Sequence, residues 1–145
     1  MRPFFMHRFE EVTAALLRVV AGLLFMQHGA QKLFGILKAP DAPPGSAELF
    51  SMMGFAGVLE FFGGLLIVLG LFTRPVAFLL SGQMAAAYFM AHAPNGAIPV
   101  LNGGELAALY CFVFLYFAAR GGGRYSVDHA LFGRRAEAEA RRMRI

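Results

Sequence analysis

Residues 57–77 read GVLEFFGGLLIVLGLFTRPVA, and this stretch decides the fold. Its side chains are apolar except for the carboxylate of Glu60, until Thr73, Arg74 and Pro75 interrupt the run. A proline cannot continue the helix that precedes it, and it pushes the residue before it toward extended geometry. The stretch therefore predicts an apolar helix, a tight turn and a second helix that runs back antiparallel to the first.

The rest of the chain has the composition of an integral membrane protein. Of its 145 residues 58% are hydrophobic, and it contains 16 Phe and 17 Gly. A membrane-spanning helix needs about 20 mainly apolar residues, and the sequence offers candidate spans at residues 12–33, 52–72, 76–92 and 105–119, the last two short. We therefore predict an all-α integral membrane four-helix bundle. Residues 1–132 would form the transmembrane domain and residues 133–145 an Arg-rich cytoplasmic tail.

The thirteen Lys and Arg residues are distributed unevenly about these spans. Most of them, Arg74 and Arg120 included, lie on the side of both termini, whereas Lys32 and Lys38 lie on the other side. Because positive charge is retained in the cytoplasm, both termini are predicted to be cytoplasmic. We expect a multi-pass protein of the cell inner membrane, whose basic tail suits anionic lipid headgroups and requires no nucleic acid.

Polar and ionisable groups inside apolar spans mark candidate functional residues, because such groups are costly in a bilayer and usually face the bundle interior. At about 100° per residue, Arg18 and Lys32 fall on one stripe of the first helix. Glu60 shares a stripe of the second helix with flanking glycines, which would allow another helix to approach closely. The candidates are Arg18, His28, Lys32, Glu60, Gln83 and Glu105.

Structural explanations exist for several of these residues. Glu60 could form a buried ion pair with Arg18 that holds the bundle together, or it could carry a proton beside a bound redox head group. Glu105 follows Asn102 by three positions, as in a capping box at the start of a helix. Lys32 could simply extend to the membrane interface.

The sequence contains no convincing ligand set for an intrinsic cofactor or a metal. Cys111 is the single cysteine, which excludes a C-x-x-C dithiol and an iron–sulfur or cysteine-ligated zinc site. His28 and His92 fall near the same predicted surface and invite a haem between helices. However, His92 and Gln83 lie about 180° apart on a regular helix, so we expect no haem there.

Four segments in order resemble the DoxX family of membrane proteins. In chain order, the first is residues 18–35, which read RVVAGLLFMQHGAQKLFG, and the second is residues 57–77, which are quoted above. The third is residues 103–110, which read GGELAALY, and the fourth is residues 121–128, which read GGGRYSVD. The resemblance covers about residues 17–128. It implies a four-helix protein of the cytoplasmic membrane, in a family linked to thiosulfate:quinone oxidoreductase and quinol-oxidase complexes or to membrane-associated oxidoreductase assemblies. Its matching positions are Arg18, His28, Gly29, Lys32, Glu60, Gly64, Arg74, Glu105 and Asp128.

Together these arguments predict a small inner-membrane subunit of a redox complex that binds a quinone-like molecule. Quinone carbonyls accept hydrogen bonds, and reduction to a quinol requires protons. The predicted catalytic residues are Glu60 and His28, and the predicted substrate-binding residues are Arg18, Lys32, Gln83 and Glu105. Because the chain has no redox centre of its own, it would need an oxidoreductase partner, and it could also form an oligomer.

The alternative is a non-catalytic membrane scaffold that recruits a soluble redox enzyme through the basic tail. A transporter is the weakest hypothesis, because the chain shows no internal repeat of the kind that transporters use.

Overall fold

The computed structural model describes residues 4–42 and 44–133, and within these ranges the chain is helical and contains no strand. Four long helices dominate it, namely α1 (Phe4–Phe34), α2 (Met52–Leu69), α3 (Thr73–Asn95) and α4 (Glu105–Arg120). Shorter helical turns lie at Pro99–Asn102 and His129–Gly133. The predicted Arg-rich tail falls outside the described residues, apart from Gly133.

Two of these helices, α2 and α3, are long and apolar enough to cross a membrane. The bounds of α2, α3 and α4 lie close to the predicted spans. By contrast, α1 begins eight residues before its predicted span, because hydropathy locates a membrane crossing and not the end of a helix. Polar and charged residues at the start of α1 continue the helix beyond its apolar part.

Both α2 and α3 contain a π-helical turn. In α2 the turn covers Leu59–Gly63, and in α3 it covers Tyr88–His92. Such turns insert one residue into the α-helical repeat, and they occur frequently at functional sites. The first of them contains Glu60.

The turn between α2 and α3 is tight, as the sequence predicts, and it is held by residues from distant parts of the chain. Its predicted position at Thr73, Arg74 and Pro75 is wrong, because the turn covers residues 70–72 and these three residues form the first turn of α3, where proline is tolerated. Gly70 ends α2 with a φ of +68°, and its carbonyl accepts a hydrogen bond of 2.9 Å from the backbone N–H of Asp128. The Asp128 carboxylate accepts hydrogen bonds from the N–H groups of Phe72 (2.7 Å) and Thr73 (2.8 Å). A negative charge at a helix N-terminus satisfies free amides and interacts favourably with the helix dipole. Asp128 therefore fixes the start of α3.

Glycines allow α1 and α2 to pack closely, which confirms the prediction made from the stripe that carries Glu60. A Cβ atom on Gly22 would lie 2.8 Å from the carbonyl oxygen of Gly64, and one on Gly64 would lie 2.9 Å from that of Gly22. Closer to the other end of α1, a Cβ on Gly29 would lie 2.4 Å from the backbone nitrogen of Phe61. Close backbone approach at small residues is typical of helices that associate in a bilayer.

The apolar core lies where all four long helices meet. Phe25 of α1, Ile67 of α2, Leu80 of α3 and Phe114 of α4 are fully or almost fully buried. The rings of Phe25 and Phe114 pack edge to face with 4.8 Å between their centroids. Along α1, this core separates a polar cluster around Arg18 from a second polar cluster around Lys32.

Candidate functional site

A buried carboxylate lies at the junction of α1, α2 and α3. Glu60 is 2% exposed, and the Lys32 Nζ atom lies 2.5 Å from each of its two carboxylate oxygens. Gln83 of α3 donates from Nε2 to Glu60 Oε1 over 3.1 Å. We refer to Lys32, Glu60 and Gln83 as the carboxylate cluster.

Local packing explains why Lys32 reaches Glu60. Gly57 lies one turn before Glu60 on α2, and a Cβ atom at Gly57 would come within 2.9 Å of the Lys32 Cβ. The missing side chain allows the aliphatic part of Lys32 to cross the surface of α2. Its ammonium group then neutralises a carboxylate that would otherwise be a costly uncompensated charge.

The predicted ion pair between Glu60 and Arg18 is wrong. Arg18 is also 2% exposed, but its Nη1 atom donates to the carbonyls of Ile67 (2.8 Å) and Val68 (3.0 Å), and its Nη2 atom donates to that of Tyr125 (2.6 Å). The carbonyls of Ile67 and Val68 lie at the C-terminal end of α2, where a cation satisfies free carbonyls and complements the helix dipole. Val68 follows Glu60 by eight residues, which corresponds to about 12 Å along a helix.

A cavity of about 490 Å³ adjoins the carboxylate cluster on the side of the loop between α1 and α2. Gln31, Lys32, Lys38 and Met53 line it together with residues 44–47 of that loop. Its volume falls within the range of about 300–1,000 Å³ that is usual for small-molecule sites. The Lys32 side chain is 26% exposed and the Glu60 side chain 3% exposed, so Lys32 connects the buried carboxylate to the cavity.

Two hydrogen bonds hold the wall of this cavity. Gln31 donates from Nε2 to the carbonyl of Leu37 over 2.6 Å, and Lys38 donates from Nζ to the carbonyl of Gly45 over 2.5 Å. Deeper in the site, the Gln83 Oε1 atom is buried and accepts no hydrogen bond from the described residues. The cluster therefore retains one unsatisfied acceptor beside a charged pair.

Two other predicted site residues do not join the cluster. His28 is exposed on α1, and its ring lies edge-on to that of Tyr110 with 6.5 Å between centroids. Glu105 is exposed at the first residue of α4. The structure thus brings together Lys32, Glu60 and Gln83, and it places His28 and Glu105 on the surface of the molecule.

The predicted capping box of Asn102 and Glu105 is also wrong. The Asn102 side chain accepts a hydrogen bond of 2.8 Å from the N–H of Gly104, two residues on, and Gly104 is the N-cap of α4. This short-range turn fits the tendency of asparagine to bond the backbone two residues ahead. His92 lies against the same loop, with its Nδ1 atom 3.1 Å from the Asn102 carbonyl oxygen.

A second cavity, of about 690 Å³, lies at the opposite end of α1, near Glu11. The charged side chains of Glu11, Arg74, Arg120 and Asp128 in its wall are engaged with helix ends or with one another. Arg74 donates to the carbonyl of Ala119, and Arg120 pairs with Glu11 at 2.8 Å. We therefore place the candidate site at the Lys32 end. Nowhere in residues 4–42 and 44–133 do three His, Cys, Asp or Glu side chains group in a way that could hold a metal ion.

Helical periodicity did not indicate the pairing of Lys32 with Glu60 or the cavity beside it. The glycines were a usable signal against the pairing of Glu60 with Arg18. If Gly22 faces Gly64, then Arg18 lies opposite Val68 rather than opposite Glu60. No comparable signal exists for the cavity, because irregular loop residues form much of its wall.

The chain matches the DoxX family over residues 13–93, which include all three residues of the carboxylate cluster. An uncharacterized protein of Haemophilus influenzae is 40% identical over 136 residues, which cover 90% of this chain and 93% of the relative. No solved structure matches the chain.

Proposed function

This chain belongs to the DoxX family of membrane proteins, and from that premise we propose that it is a small multi-pass subunit of a redox complex in the cell inner membrane. In this proposal all four long helices cross the bilayer and both termini are cytoplasmic. The distribution of charge supports this orientation, because Arg74 and Arg120 lie at one end of the molecule and Lys32 and Lys38 at the other.

We further propose that the cavity beside Lys32 binds a quinone-like molecule. The observation that carries this proposal is that the buried Glu60 carboxylate pairs with Lys32, and that Lys32 also lines a cavity of suitable size. An ammonium group has three N–H donors, and two of the Lys32 donors are directed at the Glu60 oxygens. The third donor is available to a ligand carbonyl in the cavity.

The same pair supplies a route for a proton. Reduction of a quinone to a quinol takes up two electrons and two protons, and the electrons would come from a protein partner that carries a redox centre. Lys32 would give one proton to a quinone oxygen, and Glu60 would stabilise the ammonium form of Lys32 that donates it. Water at the open side of the cavity would supply the second proton and reprotonate Lys32. Glu60 therefore acts through Lys32, and Gln83 orients its carboxylate.

Tryptophan fluorescence can test quinone binding, because the chain contains no native tryptophan. Met53→Trp places a single reporter on the cavity wall, where a short-chain benzoquinone should quench its emission in a saturable way. Phe112→Trp, on an exposed position of α4, reports quinone that merely dissolves in the lipid. Protein in lipid nanodiscs keeps both reporters in a bilayer.

Variants at the cluster then link binding to the proposed residues. Lys32→Met in the Met53→Trp background should weaken binding at least about tenfold, since a charge-assisted hydrogen bond is worth about 1.5–3 kcal/mol. Glu105→Gln is the matched control, because this carboxylate is exposed and lies outside the cluster. Quenching that rises linearly with quinone concentration at both reporter positions, without saturation at Met53→Trp, would contradict the quinone proposal.

A second candidate function is a non-catalytic scaffold for a soluble redox enzyme. The observation in its favour is that the Lys32 Nζ atom contacts both carboxylate oxygens of Glu60, as it would in a purely structural ion pair. This candidate predicts no saturable quenching at Met53→Trp, together with a loss of stability whenever one member of the pair is removed.

A further inference from the structure

One face of α1 is turned away from the other helices and follows a heptad pattern. Six of its exposed residues are spaced alternately by four and three positions, and they are Phe9, Thr13, Leu16, Val20, Leu23 and Gln27. Leu17 and Leu24 are exposed at one side of this row. The opposite face carries Gly22 and Gly29 and packs against α2. We refer to the six exposed residues as the outer stripe of α1.

The residue types in the outer stripe match those of a parallel two-stranded coiled coil. Thr13, Val20 and Gln27 occupy one core position of successive heptads, and Phe9, Leu16 and Leu23 occupy the other. β-branched residues at the first position with leucine at the second favour two strands, and one polar residue at the first position fixes their register. A helix face that meets only lipid needs apolar side chains but no such order among them.

Gln27 is the residue that most requires a partner. Its side chain is exposed within the apolar part of α1, in the third of that part nearest Lys32, and it makes no hydrogen bond with the described residues. An amide carries both donors and an acceptor, so two copies of the same amide can satisfy each other. Polar groups of this kind hydrogen-bond across helix interfaces in a bilayer. A symmetric pair requires only a second copy of this chain.

We propose that the outer stripe is a homodimer interface in which α1 of one copy packs parallel to α1 of a second copy, with the two Gln27 amides facing each other. All copies of a membrane protein insert with the same orientation, so a two-fold axis along the membrane normal makes the two α1 helices parallel. The proposal rests on the membrane insertion proposed above and does not depend on any ligand. Its tests are therefore independent of quinone binding.

Disulfide crosslinking tests the interface in native membranes. The chain has a single cysteine, so Cys111→Ala gives a background in which one new cysteine can be placed at a time. Leu16→Cys and Leu23→Cys should form crosslinked dimers on mild oxidation. Leu17→Cys is the matched control, because Leu17 is exposed but lies about 100° around the helix from Leu16. Phe112→Cys controls for random collision through an exposed position on α4.

We expect at least fivefold more crosslinked dimer at the stripe positions than at Leu17→Cys or Phe112→Cys. Equal crosslinking at Leu16→Cys and Leu17→Cys, or crosslinking as strong at Phe112→Cys, would overturn the proposed interface.

A second measurement tests Gln27 itself through the dimer association constant, determined by energy transfer between labelled copies in liposomes. Gln27→Leu should lower this constant roughly ninefold, because each of two symmetric hydrogen bonds contributes about threefold. His28→Leu is the control, because it removes an exposed polar side chain beside the stripe. An unchanged constant with Gln27→Leu, or an equal loss with His28→Leu, would refute the proposed amide pair.

Discussion

Removal of Lys32 should destabilise the fold more than removal of Glu60, although both changes break the same ion pair. The reason is the difference in exposure, since the Glu60 side chain is 3% exposed and the Lys32 side chain is 26% exposed at the cavity. Lys32→Met leaves a carboxylate inside an apolar bundle with Gln83 as its remaining donor. Glu60→Gln leaves an ammonium group that can turn toward the cavity.

The magnitudes follow from these surroundings. Lys32→Met should lower the free energy of unfolding by about 3–5 kcal/mol, which is the usual cost of leaving one member of a buried pair uncompensated. Glu60→Gln should lower it by about 1–3 kcal/mol, which is the cost of a lost hydrogen bond to a charged group. The double variant contains no buried charge at this site, so it should be within about 1 kcal/mol of the wild type. The resulting coupling energy is at least about 3 kcal/mol.

Unfolding with sodium dodecyl sulfate in mixed micelles gives the required free energies for the four proteins of the cycle. A second cycle with Arg18→Met and Glu60→Gln serves as the control. Arg18 and Glu60 share no hydrogen-bond partner among the described residues, so their effects should add to within about 0.5 kcal/mol. Equal costs for Lys32→Met and Glu60→Gln, or a larger coupling to Arg18 than to Lys32, would refute this reasoning.

Two further predictions concern the turn between α2 and α3 and the orientation in the membrane. Gly70→Ala should lower the free energy of unfolding by at least about 1–2 kcal/mol, because Gly70 has a φ of +68° and a Cβ atom there would lie 2.1 Å from Arg18 Nη1. Gly82→Ala is the control, because a Cβ atom at this position meets open space, and it should leave the free energy of unfolding unchanged or raise it. A similar loss of stability in both variants would contradict the role given to Gly70. A topology reporter fused after Ile145 should report the cytoplasm, whereas one inserted beside Pro44 should report the outside; the reverse pattern would invert the proposed orientation.

The parts of the fold that were predictable are those that local sequence determines. Pro75 and the preceding residues predict the tight turn, and the apolar runs predict where α2, α3 and α4 lie. The glycines around Glu60 also predict that this face of α2 packs against another helix. Each of these features depends on residues close together in the chain, and the structure confirms them.

The partner of Glu60 was not predictable from helical periodicity alone. Arg18 and Lys32 lie on the same stripe of α1, 14 residues and about 21 Å apart along the axis. Periodicity defines the face on which a residue lies, but the antiparallel register of two helices decides which residues meet. That register depends on where the backbones approach most closely, at Gly22 with Gly64 and at Gly29 with Phe61.

The two cations of this stripe perform different tasks because different groups of α2 lie opposite them. Arg18 meets the carbonyls at the C-terminal end of α2, and its terminal nitrogens are used in bonds that join α1, α2 and the segment before Asp128. Any ligand bound there would have to compete with the bonds that fix the turn. Lys32 meets a carboxylate on a π-helical turn, and its remaining donor can reach the cavity without breaking a helix end. Ligand chemistry is therefore better supported at the Lys32 end, and the Arg18 end provides the fixed frame that keeps α2 and α3 in place.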